Sequence, residues 1–239
     1  MTDTWPTRTE CRFRVLDTPV LAEPDGVLVV PEAGLLVVSD LHFEKGSSFA
    51  AKGQMLPPYD TRTTLRHLGE AIDRHAPQTV MALGDSFHDL RADQRMHGAD
   101  ADRLADLVRR AERWIWIEGN HDPAPPPQFG GEVRHEIELA GLVFRHEPTE
   151  GPAPGEVAGH LHPCAKVRRK GRSVRNRCFA TDGSRLILPA FGAFTGGLNV
   201  RDEAFARCFG RTPDALVMGR DRVWPVSYTH LTLPTILLV

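Results

Sequence analysis

The sequence predicts an α/β fold in which short buried strands alternate with helices. Continuous apolar runs occur at residues 35–38, 79–83 and 114–117. Stretches with apolar residues at helical spacing occur at residues 61–75 and 100–112. Because a short apolar run without alternation is typical of a strand covered on both faces, the pattern favours an open sheet with helices packed against it.

Further strands complete the pattern on both sides of this region. A hairpin is predicted from residues 13–21 and 27–30, because residues 23–26 between them, Glu-Pro-Asp-Gly, mark a turn. More strands are predicted at residues 142–144, 157–158, 185–188 and 216–218. The length of 239 residues suits one large domain, and no change of composition divides it, so we expect a single domain over residues 1–225.

The C-terminal tail has an unusual sequence. Residues 226–235 read VSYTHLTLPT, which resembles the in-frame translation of a transposon sequencing adapter. We therefore expect residues 226–239 to be a read-through tail, and the native C-terminus to be missing. His230 lies in this tail and is not counted among the candidate ligands.

The composition excludes several classes of protein. The formal net charge of -2 excludes a chain that is basic throughout, so any affinity for nucleic acid must come from a local patch. None of the four cysteines forms a Cys-x-x-Cys pair, and the chain is too long for them to make a disulfide framework. The N-terminus lacks the apolar core of a signal peptide, and no apolar run is long enough to span a membrane. We therefore expect a cytoplasmic protein without a membrane partner.

Residues typical of metal sites follow successive predicted strands. In chain order they are Asp40 and His42, then Asp85, then Asn120 with His121 and Asp122, then His146, and finally His160 and His162. Because sites in open α/β sheets are built at the carboxyl ends of the strands, we expect these side chains to meet. A glycine precedes Asp85, Asn120 and His160, where it permits a sharp turn.

The residue types indicate a centre with two metal ions. Two Asp, four His and one Asn are too many ligands for one ion and about enough for two that share a carboxylate. Mixed carboxylate and imidazole ligands suit Mn²⁺, Fe, Zn²⁺ or Co²⁺ better than Ca²⁺. Two such ions can hold a bridging hydroxide as nucleophile and neutralise charge on a phosphoryl group. A histidine beside them can protonate the leaving oxygen.

These motifs occur in a set order along the chain. Asp-x-His, Gly-Asp, Gly-Asn-His-Asp, a lone His and Gly-His-x-His extend over residues 40–162, more than half of the chain. The order resembles the calcineurin-like metallophosphoesterases, which implies a four-layer sandwich of two mixed β-sheets flanked by helices. The resemblance also implies individual roles: Asp40, His42 and His162 at one metal, Asn120, His146 and His160 at the other, Asp85 between the two, His121 as general acid or phosphate contact, and Asp122 as the residue that orients His121.

Longer segments around these motifs carry further similarity. They lie at residues 40–48, 56–61, 84–89, 145–148, 159–163 and 188–199. Together they resemble one branch of that family, the ligase-associated DNA damage response endonucleases known as PdeM. The resemblance implies a DNA-repair setting beside a ligase, a helicase and an exonuclease-like partner. We therefore expect a DNA endonuclease of the DNA damage response that uses two divalent ions, with Mn²⁺ preferred.

A strongly basic segment begins shortly after the last ligand. Seven of the twelve residues in 166–177 are basic, namely Lys166, Arg168, Arg169, Lys170, Arg172, Arg175 and Arg177. Because the segment should emerge near the metals, we expect it to bind the phosphates of DNA with little sequence specificity. A solvated hairpin that turns at residues 170–172 is the alternative. No aromatic residue follows within the segment before Phe179, so base stacking is not indicated.

Two other functions stay open at this point. The first is hydrolysis of a nucleotide or another small phosphoester, which would not need the basic segment. The second is a non-catalytic DNA-repair scaffold that keeps metal for stability, although the presence of His121 argues against it. Two local roles are also open: residues 191–199 form either a packed turn or a substrate wall, and Glu44 and Lys45 lie either in a solvated loop or facing the substrate.

Overall fold

The structure, a computed structural model, describes residues 9–54, 59–169 and 172–227. Its strands are β1 Cys11–Val15, β2 Thr18–Ala22, β3 Leu28–Val30, β4 Leu35–Val38, β5 Thr79–Leu83, β6 Arg113–Ile117, β7 Glu132–Arg134, β8 Glu136–Leu139, β9 Leu142–Arg145, β10 Glu156–Ala158, β11 Cys164–Arg169, β12 Arg172–Thr181, β13 Leu186–Ile187, β14 Asp214–Met218 and β15 Val223–Val226. Its helices are α1 Lys45–Ala51, α2 Asp60–His75, α3 Ala92–Arg95, α4 Gly98–Arg110 and α5 Glu203–Phe209, with 3-10 helices at Pro31–Ala33 and Pro127–Phe129.

Two mixed β-sheets form the centre of the molecule. In the first sheet the order is β1-β2-β3-β4-β5-β6-β7, antiparallel from β1 to β4 and parallel from β4 to β7. In the second sheet the order is β15-β14-β12-β13-β10-β9-β8, with β11 beside β12. Strands β13, β10 and β9 run parallel to one another, and their neighbours are antiparallel. The predicted α/β class with two mixed sheets is confirmed.

Strand β4 shows how the layers stack. Leu36 and Val38 pack in one apolar cluster with residues of α2 and α4. The alternate residues, Leu35 and Val37, pack in a second cluster with residues of β9, β10 and β13. On the far face of the second sheet, residues of β12, β13 and β14 pack against Phe205 of α5. Because successive side chains of a strand point to opposite faces, the four layers lie in the order helices, sheet, sheet, helix.

The N-terminal region differs from the prediction in one respect. The predicted strand at residues 13–21 is two strands, because Leu16 adopts a left-handed backbone with φ 51° and the chain reverses there. The predicted turn at residues 23–26 joins β2 to β3, so the hairpin is confirmed. Helix α1 and strands β7 and β8 are additional, since α1 is short and β7 and β8 alternate over too few, largely exposed residues to give a clear strand pattern.

The C-terminal end of the described chain belongs to the second sheet. Strand β15 pairs with β14, and its last residue, Val226, is the first residue of the predicted read-through tail. Residues 228–239 of that tail lie outside the described residues, so its origin stays a prediction. No helix in the described part of the chain has the length and apolar character needed to cross a membrane.

Candidate dinuclear metal centre

Parallel strands bring the candidate ligands to one edge of the two sheets. The pairing of β4 with β5 and of β5 with β6 is in register, so the loops that follow them leave side by side with Asp40, Asp85 and Asn120. In the second sheet β9 and β10 are also parallel, which places the loop of His146 beside the loop of His160. The two sheets therefore bring together candidate ligands from the loops that follow five strands, which are far apart along the chain.

Asp40, His42 and His162 form the first group of ligand atoms. These atoms lie within 4.8 Å of one another. The Nε2 atom of His162 is 3.0 Å from Oδ1 of Asp40 and 3.4 Å from Nε2 of His42. The other oxygen of the fully buried Asp40 carboxylate accepts hydrogen bonds from Ser39 Oγ and, at 3.1 Å, from the backbone N–H of His160. These bonds fix the carboxylate and leave Oδ1 directed at the imidazoles.

Asp85, His146 and His160 form the second group, and Asn120 lies among them. The Oδ1 atom of Asn120 is 3.0 Å from Nε2 of His146 and 3.1 Å from Nδ1 of His160. Nε2 of His146 is also 3.4 Å from Oδ2 of Asp85. The other ring nitrogen of His146 donates to the carbonyl oxygen of Leu83 at 3.1 Å, which orients Nε2 toward the group. Asp85 falls in this group by distance, and its role as a bridge stays a prediction.

The backbone at these ligands is in an uncommon conformation. Five of the seven predicted ligands have left-handed φ values, namely Asp40 at 54°, His42 at 46°, Asp85 at 46°, His160 at 65° and His162 at 45°. Residues other than glycine seldom adopt this region, and such strain clusters where side chains must be aimed at a site. The sharp turns after the strands therefore point these side chains into the centre.

The three glycines that precede ligands allow close approach, and a Cβ atom at Gly84 would lie 2.3 Å from Cγ of His146. A Cβ atom at Gly119 would lie 2.2 Å from the backbone nitrogen of Asp85, and one at Gly159 would lie 2.0 Å from Oγ of Ser39. Neither glycine has a positive φ, whereas Gly84 does, at 73°. Of the three, Gly84 is therefore the one whose turn uses a left-handed backbone, and at Gly119 and Gly159 the close packing of the loops excludes a side chain.

The ionisable groups of the centre shift one another's pKa. Burial raises the pKa of Asp40, but the hydrogen bond and charge of His162 and the neighbouring imidazoles outweigh it, so the pKa lies well below its usual range. Burial lowers the pKa of His42 to about 3. For His146 burial favours the neutral ring, but the hydrogen bond to Asp85 and the charge of Asp40 raise its pKa to about 9. An anionic Asp40 beside a neutral His42 is a state suited to a cation.

The arrangement fits divalent metal ions. Among the described residues, the buried Oδ1 of Asp40 is approached to hydrogen-bond distance by Nε2 of His162, at 3.0 Å, and that nitrogen lies 3.4 Å from Nε2 of His42. A buried carboxylate oxygen faced by imidazole nitrogens, which bind metals when neutral, is a position suited to a cation. Imidazole nitrogens and carboxylate oxygens converge in each group, and this donor set is that of transition-metal sites in proteins.

His121 and Asp122 have separate contacts. The backbone N–H of His121 donates to Oδ1 of Asp85 at 2.8 Å, and its ring Nδ1 lies 3.0 Å from the carbonyl oxygen of His88. Its Nε2 faces the centre, 3.9 Å from Oδ2 of Asp85. Asp122 is buried, and its Oδ2 accepts from the backbone N–H of Phe87 at 3.0 Å. Burial raises the pKa of Asp122 to about 8.

These contacts bear on the expected role of Asp122. The carbonyl oxygen of His88 contacts Nδ1 of His121, and the task of orienting His121 that was expected of Asp122 stays a prediction. Asp122 braces the loop that carries Asp85. The ring of His88 also stacks on the ring of His121, with centroids 5.4 Å apart. Sequence reasoning did not assign His88 to the site, although its position three residues after Asp85 was the available signal.

The basic segment is a hairpin of β11 and β12, as predicted. Lys166 pairs in register with Arg175. The guanidinium of Arg177 donates to the carbonyl oxygens of Ala190 and Gly192 at 2.9 and 2.7 Å, so it holds a loop and does not face solvent as a free phosphate ligand. Arg175 donates to the carbonyl oxygen of Gly197. The backbone of Arg168, Arg169 and Arg172 is in the two strands, and their side chains, like all of Lys170, lie outside the described part of the structure.

The loop at residues 191–199 is wedged between this hairpin and the metal ligands. A Cβ at Gly192 would lie 2.3 Å from the carbonyl oxygen of Leu41, and one at Gly197 would lie 2.1 Å from that of His162. The packed-turn interpretation is therefore correct. The loop also brings Phe194, with 39% of its surface exposed, into a cavity with Arg177. Phe179, the first aromatic residue after the basic segment, is buried in the core, in agreement with the absence of a predicted stacking role.

Two clefts of opposite charge flank Asn120. The basic cleft, about 580 Å³, lies beside His121 and contains Lys52, Arg91 and Arg95 in its walls. The acidic cleft, about 470 Å³, lies beside His146 and contains Glu118, Glu136 and Glu147 in its walls, with Arg145 and His135 among them. Neither cleft is apparent in the sequence, because their walls come from segments far apart along the chain.

The chain is similar to known proteins in its sequence and in its fold. The family model described as calcineurin-like phosphoesterase matches residues 34–179. Among solved structures, the chain is similar to the nuclease MPE of Pseudomonas putida, with 27% identity, a TM-score of 0.70, and coverage of 91% of this chain and 100% of that one. It is less similar to a protein of unknown function from Aquifex aeolicus, with 17% identity, a TM-score of 0.38, and coverage of 57% and 81%. The phosphoesterase Yfce from E. coli matches with 14% identity, a TM-score of 0.40, and coverage of 81% and 98%. No curated protein matches the sequence.

Proposed function

The chain belongs to the calcineurin-like phosphoesterase family, whose members hydrolyse phosphoric esters, and from this premise we propose that it is a metal-dependent phosphodiesterase that cuts DNA. The observation that carries the proposal is the pair of ligand groups around Asp40 and Asp85, with His121 facing the second group. Two adjoining sites with open space beside them suit hydrolysis better than a purely structural metal site, which is closed.

The ligands would divide between two ions. Asp40, His42 and His162 would hold one, Asn120, His146 and His160 the other, and Asp85 would contact both. When bound, two divalent ions activate a water and neutralise charge on the phosphoryl group. We expect Mn²⁺ to be the most effective ion, because the mixed carboxylate and imidazole set suits it, with Fe, Zn²⁺ and Co²⁺ as alternatives.

His121 supplies the proton in this mechanism. The water oxygen attacks phosphorus, and the bond from phosphorus to the leaving oxygen breaks. Nε2 of His121 gives its proton to that oxygen and regains the proton that the attacking water releases, so the products are a phosphomonoester end and an alcohol. The His88 carbonyl holds Nδ1–H and keeps Nε2 turned toward the centre, which is the orientation a general acid needs.

DNA is the substrate that the surroundings favour. The similarity to a solved nuclease over 91% of the chain supports it, as does the basic hairpin of β11 and β12 near the ligands. Lys166 and Arg175 are the hairpin residues with described side chains that remain candidates for phosphate contacts, with Arg168, Arg169, Lys170 and Arg172 expected to add to them. A DNA-repair role beside a ligase, a helicase and an exonuclease-like partner is part of the proposal and rests on the resemblance of the sequence to PdeM.

The experiment compares wild type with two variants on a simple aryl phosphodiester in the presence of Mn²⁺. We expect His121→Ala to lower kcat by about 10²- to 10⁴-fold, since it removes the general acid while leaving the ligands. Asp85→Asn should lower kcat by about 10³-fold or more and reduce bound metal, because it removes a charged ligand. The same proteins are tested on nicked, linear and single-stranded DNA.

The outcomes separate the three candidate functions. Loss of activity in both variants together with cleavage of DNA by wild type supports the nuclease. Hydrolysis of a phosphomonoester but not of the diester would favour a small-molecule enzyme. Folded, metal-loaded protein that hydrolyses no ester in the panel would favour the scaffold.

A further inference from the structure

The basic cleft contains cations that the proposed mechanism leaves unused. One wall is formed by Ser48 of α1 and by Lys52, which directly follows α1, and the other by the loop at residues 89–91 together with Arg95 of α3. The guanidinium of Arg95 is already paired, because both its terminal nitrogens donate hydrogen bonds to the Asp89 carboxylate, at 3.0 and 2.7 Å. The side chains of Lys52 and Arg91 are exposed and make no hydrogen bond or ion pair with any residue in the described ranges.

The basic cleft that contains these two cations adjoins the candidate metal centre. His121 and Asn120 line its inner end, so a chain that leaves the centre past His121 enters it directly. Leu90, with 69% of its surface exposed, lies between Asp89 and Arg91 and offers an apolar contact at the same wall. Proteins that bind nucleic-acid strands combine cations, which contact the phosphates, with apolar surfaces, which contact a sugar or a base.

The acidic cleft on the other side of Asn120 has the opposite character. Glu118, Glu136 and Glu147 line it, and Arg145 there is paired with Glu136 at 2.8 Å. A polyanion is therefore repelled on the side of His146 and attracted on the side of His121. Oppositely charged walls steer a charged ligand. A negatively charged strand bound at the centre should therefore extend into the basic cleft and not into the acidic one.

We propose that the basic cleft binds the phosphate backbone of the nucleic-acid strand on the leaving-group side of the scissile phosphate, through Lys52 and Arg91. The proposal rests on the proposed function, since it takes His121 as the proton donor to the leaving oxygen. Contacts of this kind read the backbone and not the bases, so they increase affinity for any sequence.

The test is a Lys52→Ala, Arg91→Ala double variant of the full chain, assayed with Mn²⁺. We measure kcat/KM on a single-stranded oligonucleotide and on an aryl phosphodiester too small to reach the cleft. The ratio of the two values should fall roughly tenfold, and the dependence of log kcat/KM on log salt should become shallower by about 1.4, the value for two lost phosphate contacts on a single strand. A Lys52→Arg, Arg91→Lys variant, which keeps both charges, should restore most of the ratio.

A matched control removes the same charge elsewhere. Arg12 on β1 and Arg109 on α4 are exposed arginines, each near an acidic neighbour, and the Arg12→Ala, Arg109→Ala variant should leave the ratio unchanged. An equal fall in this control would show an effect of net charge and overturn the proposal. An unchanged ratio in the Lys52 and Arg91 variant, with DNA cleavage by wild type, would overturn this inference alone. Wild type that hydrolyses the aryl ester but cuts no oligonucleotide would overturn the proposed function as well.

Discussion

The acidic and basic clefts share Asn120 at their inner ends but differ in charge and in how their walls are held. The acidic cleft's wall at residues 147–149 is anchored by a buried ion pair, in which Arg185 contacts both oxygens of Glu156 at 2.7 Å and the carbonyl oxygen of Thr149 at 2.9 Å. The basic cleft's wall is anchored by Arg95 and Asp89, whose side chains are 25% and 37% exposed. One wall is therefore anchored by a buried ion pair, and the other by an ion pair that solvent reaches.

The difference teaches where the enzyme needs rigidity and where it needs access. The buried pair lies beneath the loop that carries His146, a predicted ligand whose position sets the metal geometry. The exposed pair lies beneath residues that would touch only the substrate. A metal ligand must stay within a fraction of an ångström of its place, whereas an exposed phosphate contact tolerates motion.

The largest expected effect comes from breaking the anchor of the acidic wall. Arg185→Met should lower the free energy of unfolding by about 3–5 kcal/mol, because it leaves the Glu156 carboxylate buried without its partner. Arg95→Met, the matched change on the basic wall, should cost no more than about 1 kcal/mol, since its pair is exposed to solvent. Urea unfolding of both variants measures the two values, and similar losses would remove the distinction between the walls.

A second prediction tests the close packing at Asp40, in the ligand centre that adjoins both clefts. Gly159→Ala should destabilise the protein by about 1–3 kcal/mol, because the new methyl group would overlap Oγ of Ser39 and push the Asp40 carboxylate out of place. Metal content and hydrolysis of the aryl diester should fall together. Gly196→Ala is the control, since a Cβ there meets nothing within 4 Å. Normal metal content in the Gly159 variant would show that the close packing at Asp40 is not needed for the centre.

The smallest expected effect concerns the charge of the acidic cleft. Glu118→Gln should raise kcat/KM on an oligonucleotide at low salt by roughly twofold, because two unit charges about 10 Å apart in water interact by about 0.4 kcal/mol. Glu112→Gln is the matched control, since Glu112 lies at the opposite end of β6. A decrease in the Glu118 variant, or an equal increase in the control, would mean that the acidic cleft does not repel the strand.

Much of the fold was predictable, because a strand buried on both faces has a continuous run of apolar residues in the sequence. The apolar runs at residues 35–38 and 79–83 coincide with β4 and β5, and the helix predicted at residues 61–75 differs from α2 by one residue. The missed elements lack such a run. Strand β8, with the sequence EIEL, is half exposed at a sheet edge, and α1, with the sequence KGSSFAA, is short and has one large apolar residue.

The sequence by itself determined the order of ligands and strands, because each ligand directly follows a buried apolar run and parallel strands end at one edge. Only the tertiary structure decided which cations are free. Seven basic residues at 166–177 looked equivalent, but the fold turns Arg177 onto the carbonyl oxygens of a loop. It also places Lys52 and Arg91, 39 positions apart, in one cleft beside His121. The reason is physical: strand position follows from local burial, whereas the partner of a side chain depends on which distant loops the packed sheets bring together.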